Sequence, residues 1–277
     1  MSDNLDNPKR GINKKQVARK AFVITGFLLL PVVLNYLSPY LIIAGAAQAI
    51  LNGSAIVFLI FFLSSLVIGR YWCGWMCPGG GFGEICTSVQ PKPAKDGWLN
   101  AIKYIFVFIP WMTVILIFLV MAGGYSSVDF FWNPGKVPGD PIQIISVVEP
   151  YSYIVYYSVV GGIFILNLAA GKRAFCHYGC WMAPFLTLGT KIKNVLKYPS
   201  YHIEADTSLC KHCKKCNDAC QMSLDVERIV NEKQFVDSVE CIMCGSCVAA
   251  CPTGTLKTTW RWHLKKEEEP GADIVRE

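Results

Sequence analysis

The sequence predicts an α-helical membrane domain with four transmembrane helices, followed by a small cysteine-rich α+β domain. The first part rests on composition, because 53% of the 277 residues are hydrophobic and only 17% are charged, which is unlike an ordinary soluble protein. The second part rests on the 13 cysteines, most of which fall in two matching spacings near the C-terminus.

Long uncharged runs define the membrane domain. Residues 21–69 contain no Asp, Glu, Lys or Arg. As one helix, this run would be more than twice as long as the roughly 30 Å hydrocarbon core, so we expect it to fold back as a hairpin. Two further uncharged runs, 105–128 and 150–171, are each long enough for one crossing. The predicted helices are 21–37, 53–69, 98–122 and 151–170.

Basic residues predict the orientation of these helices. Six Lys or Arg residues lie within 1–20, before the first helix, whereas the loop before the fourth helix carries Lys136 alone. Cytoplasmic segments are enriched in Lys and Arg, so both termini are expected in the cytoplasm. We do not expect a cleaved signal peptide, because the apolar stretch runs past the length of such a segment. The basic residues between helices two and three are Arg70, Lys92, Lys95 and Lys103.

Two copies of C-x2-C-x2-C-x3-C, offset by 31 residues, follow the last helix. In bacterial ferredoxins such a run gives three thiolates to one cubane cluster and the fourth to the other. Zinc would leave the third cysteine of each run unexplained, and disulfides do not suit a cytosolic segment. The predicted ligands of the first [4Fe-4S] cluster are Cys210, Cys213, Cys216 and Cys251. Those of the second cluster are Cys241, Cys244, Cys247 and Cys220.

These motifs divide the chain into four predicted parts. A basic cytoplasmic N-terminus, 1–20, precedes the four-helix membrane domain, 21–197. The ferredoxin domain, 198–262, is too small to depend on an apolar core, so bound clusters should supply part of its stability. A charged tail occupies 263–277.

A second repeat lies where helices two and four reach the cytoplasmic face. Residues 70–77 and 173–180 align at an offset of 103, with Arg three positions before a C-x3-C and aromatic residues at matching places. Each copy ends a hairpin, so the sequence predicts that the membrane domain consists of two parallel repeats. Parallel repeats tend to be related by a rotation axis along the membrane normal. Such an arrangement predicts that four cysteines meet: Cys73, Cys77, Cys176 and Cys180.

Three interpretations of these four cysteines are open. They could hold a further metal centre, because two cysteines four apart share a helix face. They could perform thiol–disulfide chemistry, with Arg70 and Arg173 lowering the thiol pKa values. They could also be buried structural thiols. Cys86 has no counterpart in the second copy and is interpreted as structural, and His177 as a polar interfacial residue.

Together these residues resemble a known family. The segment 70–78, the second C-x3-C and the paired cysteine runs ending at 251–262 look like the NapH type of membrane polyferredoxin, whose core NosR and CcoG-like proteins share. The resemblance implies four transmembrane helices, cytoplasmic clusters and electron transfer between the quinone pool and a partner redox enzyme. Two positions depart from the family pattern, because Trp181 and Gln221 stand where Pro is usual.

The predicted function is therefore a membrane-bound electron-transfer subunit of an oxidoreductase complex, of the quinol dehydrogenase type. Its expected partners are the lipid membrane, a quinone or quinol, and another ferredoxin-type, cytochrome or reductase subunit. Because Lys211, Lys214 and Lys215 surround the Cys210 cluster, that cluster should have the higher potential.

Two alternatives are a redox sensor or metal-centre assembly factor of the CcoG-like type, and half of a transporter. We disfavour the transporter because ion pathways need an ionisable residue, and none is expected in the predicted helices. The sequence shows no catalytic acid, base or nucleophile constellation, no phosphate-binding loop and no C-x-x-C-H haem motif. The net charge of +6 is explained by the cytoplasmic flanks, so no nucleic-acid partner is expected.

Overall fold

The computed structural model describes residues 13–95, 97–134, 146–147 and 150–261, and the described chain is mainly helical. The α-helices are α1 Lys14–Leu28, α2 Leu30–Val33, α3 Pro39–Ala47, α4 Gly53–Ile68, α5 Tyr71–Trp75, α6 Pro78–Val89, α7 Ile109–Met121, α8 Pro150–Ala170, α9 Ala174–Tyr178, α10 Ala183–Leu196, α11 Lys215–Asp218, α12 Val226–Lys233 and α13 Ser246–Ala250. The strands are β1 Ile50–Asn52, β2 Ser127–Asp129, β3 Ser200–Ala205 and β4 Leu256–Arg261.

Within the described residues, two helical segments are long and apolar enough to cross a membrane. They are Trp98–Met121, with 24 residues, and Pro150–Ala170, with 21. A third span exists if Lys14–Leu28 and Leu30–Leu37 are counted together, although they meet at 56°. Pro31, at the start of α2, has no N–H to continue the helical hydrogen bonds across this bend. The membrane prediction is thus supported for two or three helices, while α4, at 16 residues, is about 24 Å long.

The segment that begins at Trp98 is irregular. It starts with a 3-10 turn, Trp98–Ala101, and continues as a π-helix, Lys103–Phe108, before α7 begins beside Pro110. The side chain of Lys103 is fully buried inside this span. The premise that the predicted helices hold no ionisable residue was therefore wrong, because 98–122 includes this lysine.

The two helices that follow the C-x3-C motifs make reciprocal contacts. The helix α6 packs on α1 and α8, whereas α10 packs on α4 and on the π-helix. Glycine permits the close approach, since a Cβ added at Gly81 would collide with the Val23 carbonyl and one at Gly189 with Ser65. The helix after the first motif, α6, thus packs against α8, which precedes the second motif. The helix after the second motif, α10, packs against α4, which precedes the first.

The cysteine-rich segment forms a small α+β unit. Its first and last elements, β3 and β4, pair antiparallel with Ser200 opposite Arg261 and Ala205 opposite Leu256. Ile203, Val226 and Ile242 are buried between this ribbon and the three short helices. The other sheet pairs β1 and β2 in parallel and joins the connections that follow α3 and α7.

Candidate functional site

The first cysteine run surrounds a cavity together with one cysteine of the second run. The cysteines that line this cavity are Cys210, Cys213, Cys216 and Cys251. The backbone turns around them through left-handed conformations at His212 and Lys214. Because of these turns, successive cysteines of the run line the same cavity. In a strand, successive side chains would point to opposite faces.

The second run forms an equivalent cavity. Its cysteines are Cys220, Cys241, Cys244 and Cys247. Left-handed residues recur at Met243 and Gly245, each 31 positions after its counterpart in the first run, with φ values of 51° and 70°. The backbone therefore repeats along with the sequence. The structure brings together the two sets of four cysteines that the ferredoxin spacing predicts.

Burial and hydrogen bonding differ between the two sets. Burial raises the pKa of Cys241 to about 12. Burial acts in the same direction at Cys251. Hydrogen bonds from the hydroxyls of Thr253 and Thr255, together with those from the backbone of Leu256 and Thr253, outweigh it and lower the pKa to about 7. Negative charge on sulfur is thus better stabilised at the first set than at the second.

The structure also places the four cysteines of the C-x3-C motifs in one buried cluster. Their exposed fractions are 5% for Cys73, 5% for Cys77, 7% for Cys176 and 5% for Cys180. Burial, and then the charges of the neighbouring cysteines, raise the pKa of Cys77 and bring that of Cys180 to about 12. Cys86 is buried as well but lies outside this cluster, and His177 is buried with its Nδ1 3.2 Å from Asn100 Oδ1.

Across the described part of the chain, no three His, Cys, Asp or Glu side chains are arranged as the ligands of one metal ion. A cubane cluster does not require that arrangement, because its four cysteines bind four different iron atoms.

Near the cysteine cluster, two carboxylates form ion pairs with four buried cations. Glu84 accepts hydrogen bonds from Arg19, at 2.7 Å, and from Arg173, at 3.0 Å. Glu240 lies 2.6 Å from both Arg70 and Lys103. The cations are each at most 1% exposed: Arg19, Arg70, Lys103 and Arg173. Among the described residues, these ion pairs hold two more positive than negative charges, and Lys193, 3% exposed, is a further cation in the same layer.

Two of these cations also keep unpaired donors beside the cysteines. The Nε atoms of Arg70 and Arg173 are buried and have no hydrogen-bond partner among the described residues. Arg70 lies close enough to Cys73 to oppose the rise in its pKa that burial causes. An acceptor placed among the four cysteines would satisfy these donors.

The first C-x3-C motif contacts the loop of the second ferredoxin run. Trp75 Nε1 donates to the Met243 carbonyl at 3.2 Å, and Gly74 packs so tightly on the Ile242 carbonyl that a Cβ would collide with it. From α1, Gln16 donates to the Cys244 carbonyl at 3.0 Å. The buried cysteine cluster therefore lies directly against the second ferredoxin set.

Sequence reasoning missed the residues that complete this layer. Glu84 and Glu240 belong to none of the predicted motifs, and Lys103 entered only the prediction of orientation. Each is a charge next to a cysteine motif or an apolar run. A charged residue in such a position is costly unless it is paired. That cost is the signal that could have identified them.

Comparison with protein families supports the iron–sulfur assignment. A 4Fe-4S dicluster domain matches residues 202–252. A 4Fe-4S binding domain matches twice in the membrane-side half, at 53–93 and 154–199, and each match contains one C-x3-C motif. The chain therefore carries 4Fe-4S domains in a mainly helical fold with two or three apolar helices.

Two relatives extend the similarity beyond these domains. An uncharacterized protein of Methanocaldococcus jannaschii is 23% identical over 92% of each chain. YccM of Escherichia coli, described as a candidate electron transport protein, is 24% identical over 79% of this chain and 59% of its own length. A shorter match, 40% identical over 22% of this chain and 8% of the relative, is to the NADPH-Fe(3+) oxidoreductase subunit alpha of Geobacter sulfurreducens. No solved structure matches.

Proposed function

We propose that this chain is a membrane-bound iron–sulfur electron-transfer subunit of the NapH type. It would link the quinone pool of the cytoplasmic membrane to a partner redox enzyme through cytoplasmic clusters. The 4Fe-4S domain matches and the similarity to YccM support the electron-transfer role. The apolar spans support membrane attachment.

Two clusters would occupy the two cavities of the ferredoxin domain. The ligands of the first would be Cys210, Cys213, Cys216 and Cys251, and those of the second Cys241, Cys244, Cys247 and Cys220. When bound, such clusters supply one-electron redox chemistry. The chain contributes the spacing between the sites, the exclusion of water and the nearby charges that adjust the potentials.

We further propose that Cys73, Cys77, Cys176 and Cys180 hold a third iron–sulfur centre. The excess of at least two buried positive charges in this layer carries this assignment. Structural thiols and a disulfide are neutral, so either would leave the excess uncompensated in a layer where unpaired charge is costly. A cubane with four thiolates has a net charge of about −2 when oxidised and would balance it.

The neighbours of the third site suit electron transfer to the ferredoxin domain. Arg173 donates to the Cys73 carbonyl at 3.1 Å, which fixes one motif against the other. Trp72 packs against Phe61 with their rings tilted by 39° and 4.3 Å between centroids, and would shield the membrane side of the site. Through Gly74 and Trp75 the site abuts the loop of the second ferredoxin set. Electrons would therefore pass between the membrane surface and the second set before reaching the first.

Replacing Cys176 with Ser tests the third centre. We expect the variant to lose quinol-linked electron transfer while keeping the absorbance and electron paramagnetic resonance signals of the two ferredoxin clusters. Iron content of anaerobically purified protein should fall from about twelve to about eight atoms per chain. Cys86→Ser is the matched control and should change neither quantity. Full quinol-linked activity in Cys176→Ser would instead indicate buried structural thiols, and stoichiometric zinc would contradict the iron–sulfur proposal as a whole.

The proposed sidedness has a separate test. A reporter fused after Glu277 should behave as cytoplasmic and one inserted near Lys136 as external, because basic residues favour the cytoplasmic side. Lys136 and Glu277 lie outside the described residues. The reverse pattern would place the clusters on the other face of the membrane.

A further inference from the structure

Lys193 on α10 is a buried cation that no carboxylate neutralises. It is 3% exposed, and its Nζ donates to the Tyr201 carbonyl at 2.8 Å. Within the described residues, no Asp or Glu forms an ion pair with it, whereas the four cations described above all bind Glu84 or Glu240. A carbonyl occupies one of the three ammonium donors and has no net charge. Because an unpaired buried charge is costly, an anion is expected near Lys193.

The titratable group whose charge acts on Lys193 belongs to the second ferredoxin set. Burial lowers the pKa of Lys193 to about 8, and the charge of Cys241 opposes this shift. The same interaction lowers the pKa of the Cys241 thiol, which burial raises. In the described part of the chain no hydrogen bond joins the two side chains, so the interaction acts through space. Lys193 is therefore placed to sense negative charge at the second set.

Contacts on three sides fix the position of Lys193. Its own hydrogen bond joins α10 to β3. The next residue, Asn194, donates from Nδ2 to the Asp237 carbonyl, four positions before Cys241. Gly69, with a φ of 61°, lies so close that an added Cβ would be 3.5 Å from the ammonium nitrogen. The ammonium is thus fixed relative to the segment that leads into the second set.

Lysines also surround the first set, but those lysines lie in water. Lys211 and Lys214 line the cavity of the first set and are exposed. Water and salt screen charges at such a surface, whereas a buried pair is screened much less. The second set therefore combines apolar surroundings with one buried cation. That single charge can offset part of the penalty that burial imposes on negative charge at the second set.

We propose that Lys193 is the counter-cation of the second cluster, so that its positive charge stabilises the reduced state and raises the potential. The proposal rests on the electron-transfer function above. Reduction adds one electron, and thus one negative charge, at the second set. The buried ammonium offsets this charge, because no carboxylate among the described residues competes for it. Burial has the larger effect at Cys241, so the second cluster keeps the lower potential and loss of Lys193 widens the separation.

A purely structural role is the alternative. In that case Lys193 serves only to hold β3 on α10 through its hydrogen bond to the Tyr201 carbonyl. Glutamine separates the two roles, because its amide N–H can donate to a carbonyl but the side chain is neutral. Arginine keeps the charge.

Redox titration of the full, cluster-loaded chain in detergent, with dithionite as the reductant and electron paramagnetic resonance as the readout, tests the proposal. Lys193→Gln should make the second cluster at least tenfold harder to reduce, which is about 59 mV for a one-electron couple. The first cluster should change less than twofold. Lys193→Arg should keep the second cluster within threefold of the unmodified chain. Lys191→Gln removes an exposed lysine from the same helix and, as the matched control, should change either cluster less than twofold.

A second-cluster potential that stays within twofold in Lys193→Gln would overturn the proposal, since the hydrogen bond without the charge would then suffice. Equal shifts of both clusters would also overturn it, because they would indicate a change in the fold. Iron content is measured on the same preparations, and if Lys193→Gln loses iron, Lys193→Met takes its place with the same expected shift.

The titration also separates this inference from the proposed function. Reduction by dithionite needs neither quinol nor a partner, so its outcome does not depend on quinol-linked activity. Absence of the second cluster from the unmodified chain would contradict the proposed function and this inference together. Normal iron content with an unchanged potential in Lys193→Gln would contradict this inference alone.

Discussion

The two ferredoxin sets have the same cysteine spacing but different surroundings. In the first set Cys213 is exposed, and Lys211 and Lys214 line the cavity. In the second set Cys244 and Cys247 are buried, and Met222, Leu224 and Ile242 line the cavity. The first set therefore faces water and a soluble partner could reach it, while the second faces the membrane-side layer.

This difference shows that spacing determines which atoms could bind a cluster, whereas the neighbours determine its electrostatics. Cys251 has a pKa of about 7 and Cys241 a pKa of about 12. The charge of Lys193 lowers the pKa of Cys241, but burial of the thiol raises it by more, so Cys241 keeps the higher pKa. The thiolate of Cys251 is thus better stabilised than that of Cys241.

The largest predicted effect is on the buried layer beside the second set. Glu240→Gln would leave Arg70 and Lys103 without their carboxylate, and breaking a buried ion pair costs about 3–5 kcal/mol. We expect a clear loss of thermal stability in detergent. The control is Glu232→Gln in the exposed pair with Arg228, which should cost less than about 1 kcal/mol. Equal effects of the two variants would show that the layer is not buried in the folded protein.

A smaller effect is expected where the two regions touch. Gly74→Ala places a Cβ against the Ile242 carbonyl, and overpacking of this kind costs about 1–3 kcal/mol. The loop of the second set should shift, so electron transfer from the membrane side should slow while the first set keeps its spectrum. Gly161→Ala on α8, where nothing lies within 4 Å of the added Cβ, should leave both unchanged. A normal transfer rate in Gly74→Ala would contradict the proposed route.

Redox titration of the two clusters compares the regions directly. We expect the Cys210 cluster to have the higher potential, because lysines, exposure and the hydrogen bonds to Cys251 all favour its reduced form. The separation should reach about 60 mV, which corresponds to a tenfold difference for a one-electron couple. Electron paramagnetic resonance during a stepwise reduction would resolve the two signals. A lower potential for the Cys210 cluster would refute the electrostatic comparison.

The smallest predicted effect concerns one hydroxyl at the first set. Thr253 Oγ1 lies 3.5 Å from Cys251 Sγ, and hydrogen bonds to cluster sulfurs raise the potential. Thr253→Val should lower the potential of the Cys210 cluster by less than about 59 mV and leave the other cluster unchanged. Thr258→Val, farther along β4, serves as the control. A shift in both clusters would mean that the hydroxyl acts through the fold and not on Cys251.

Local motifs made much of the site predictable. The 31-residue offset gave the cysteines of both cavities, and the 103-residue offset gave the four cysteines that meet in the buried cluster. The helices were less predictable. The run 21–69 is divided among several helices, and hydropathy revealed neither the 56° bend after Leu28 nor the π-helix at Lys103–Phe108. Hydropathy averages over a window of residues, so it does not register a local break in the helical hydrogen bonds.

The sequence by itself determined which cysteines share a spacing, because the two repeats place them at fixed offsets of 31 and 103 residues. Only the tertiary structure decided how Glu84 and Glu240 pair with cations from distant segments. It also decided that the first C-x3-C motif lies against the loop of the second ferredoxin run. Such contacts join residues that are far apart in the chain, and their energies depend on shared burial, which no local pattern in the sequence records.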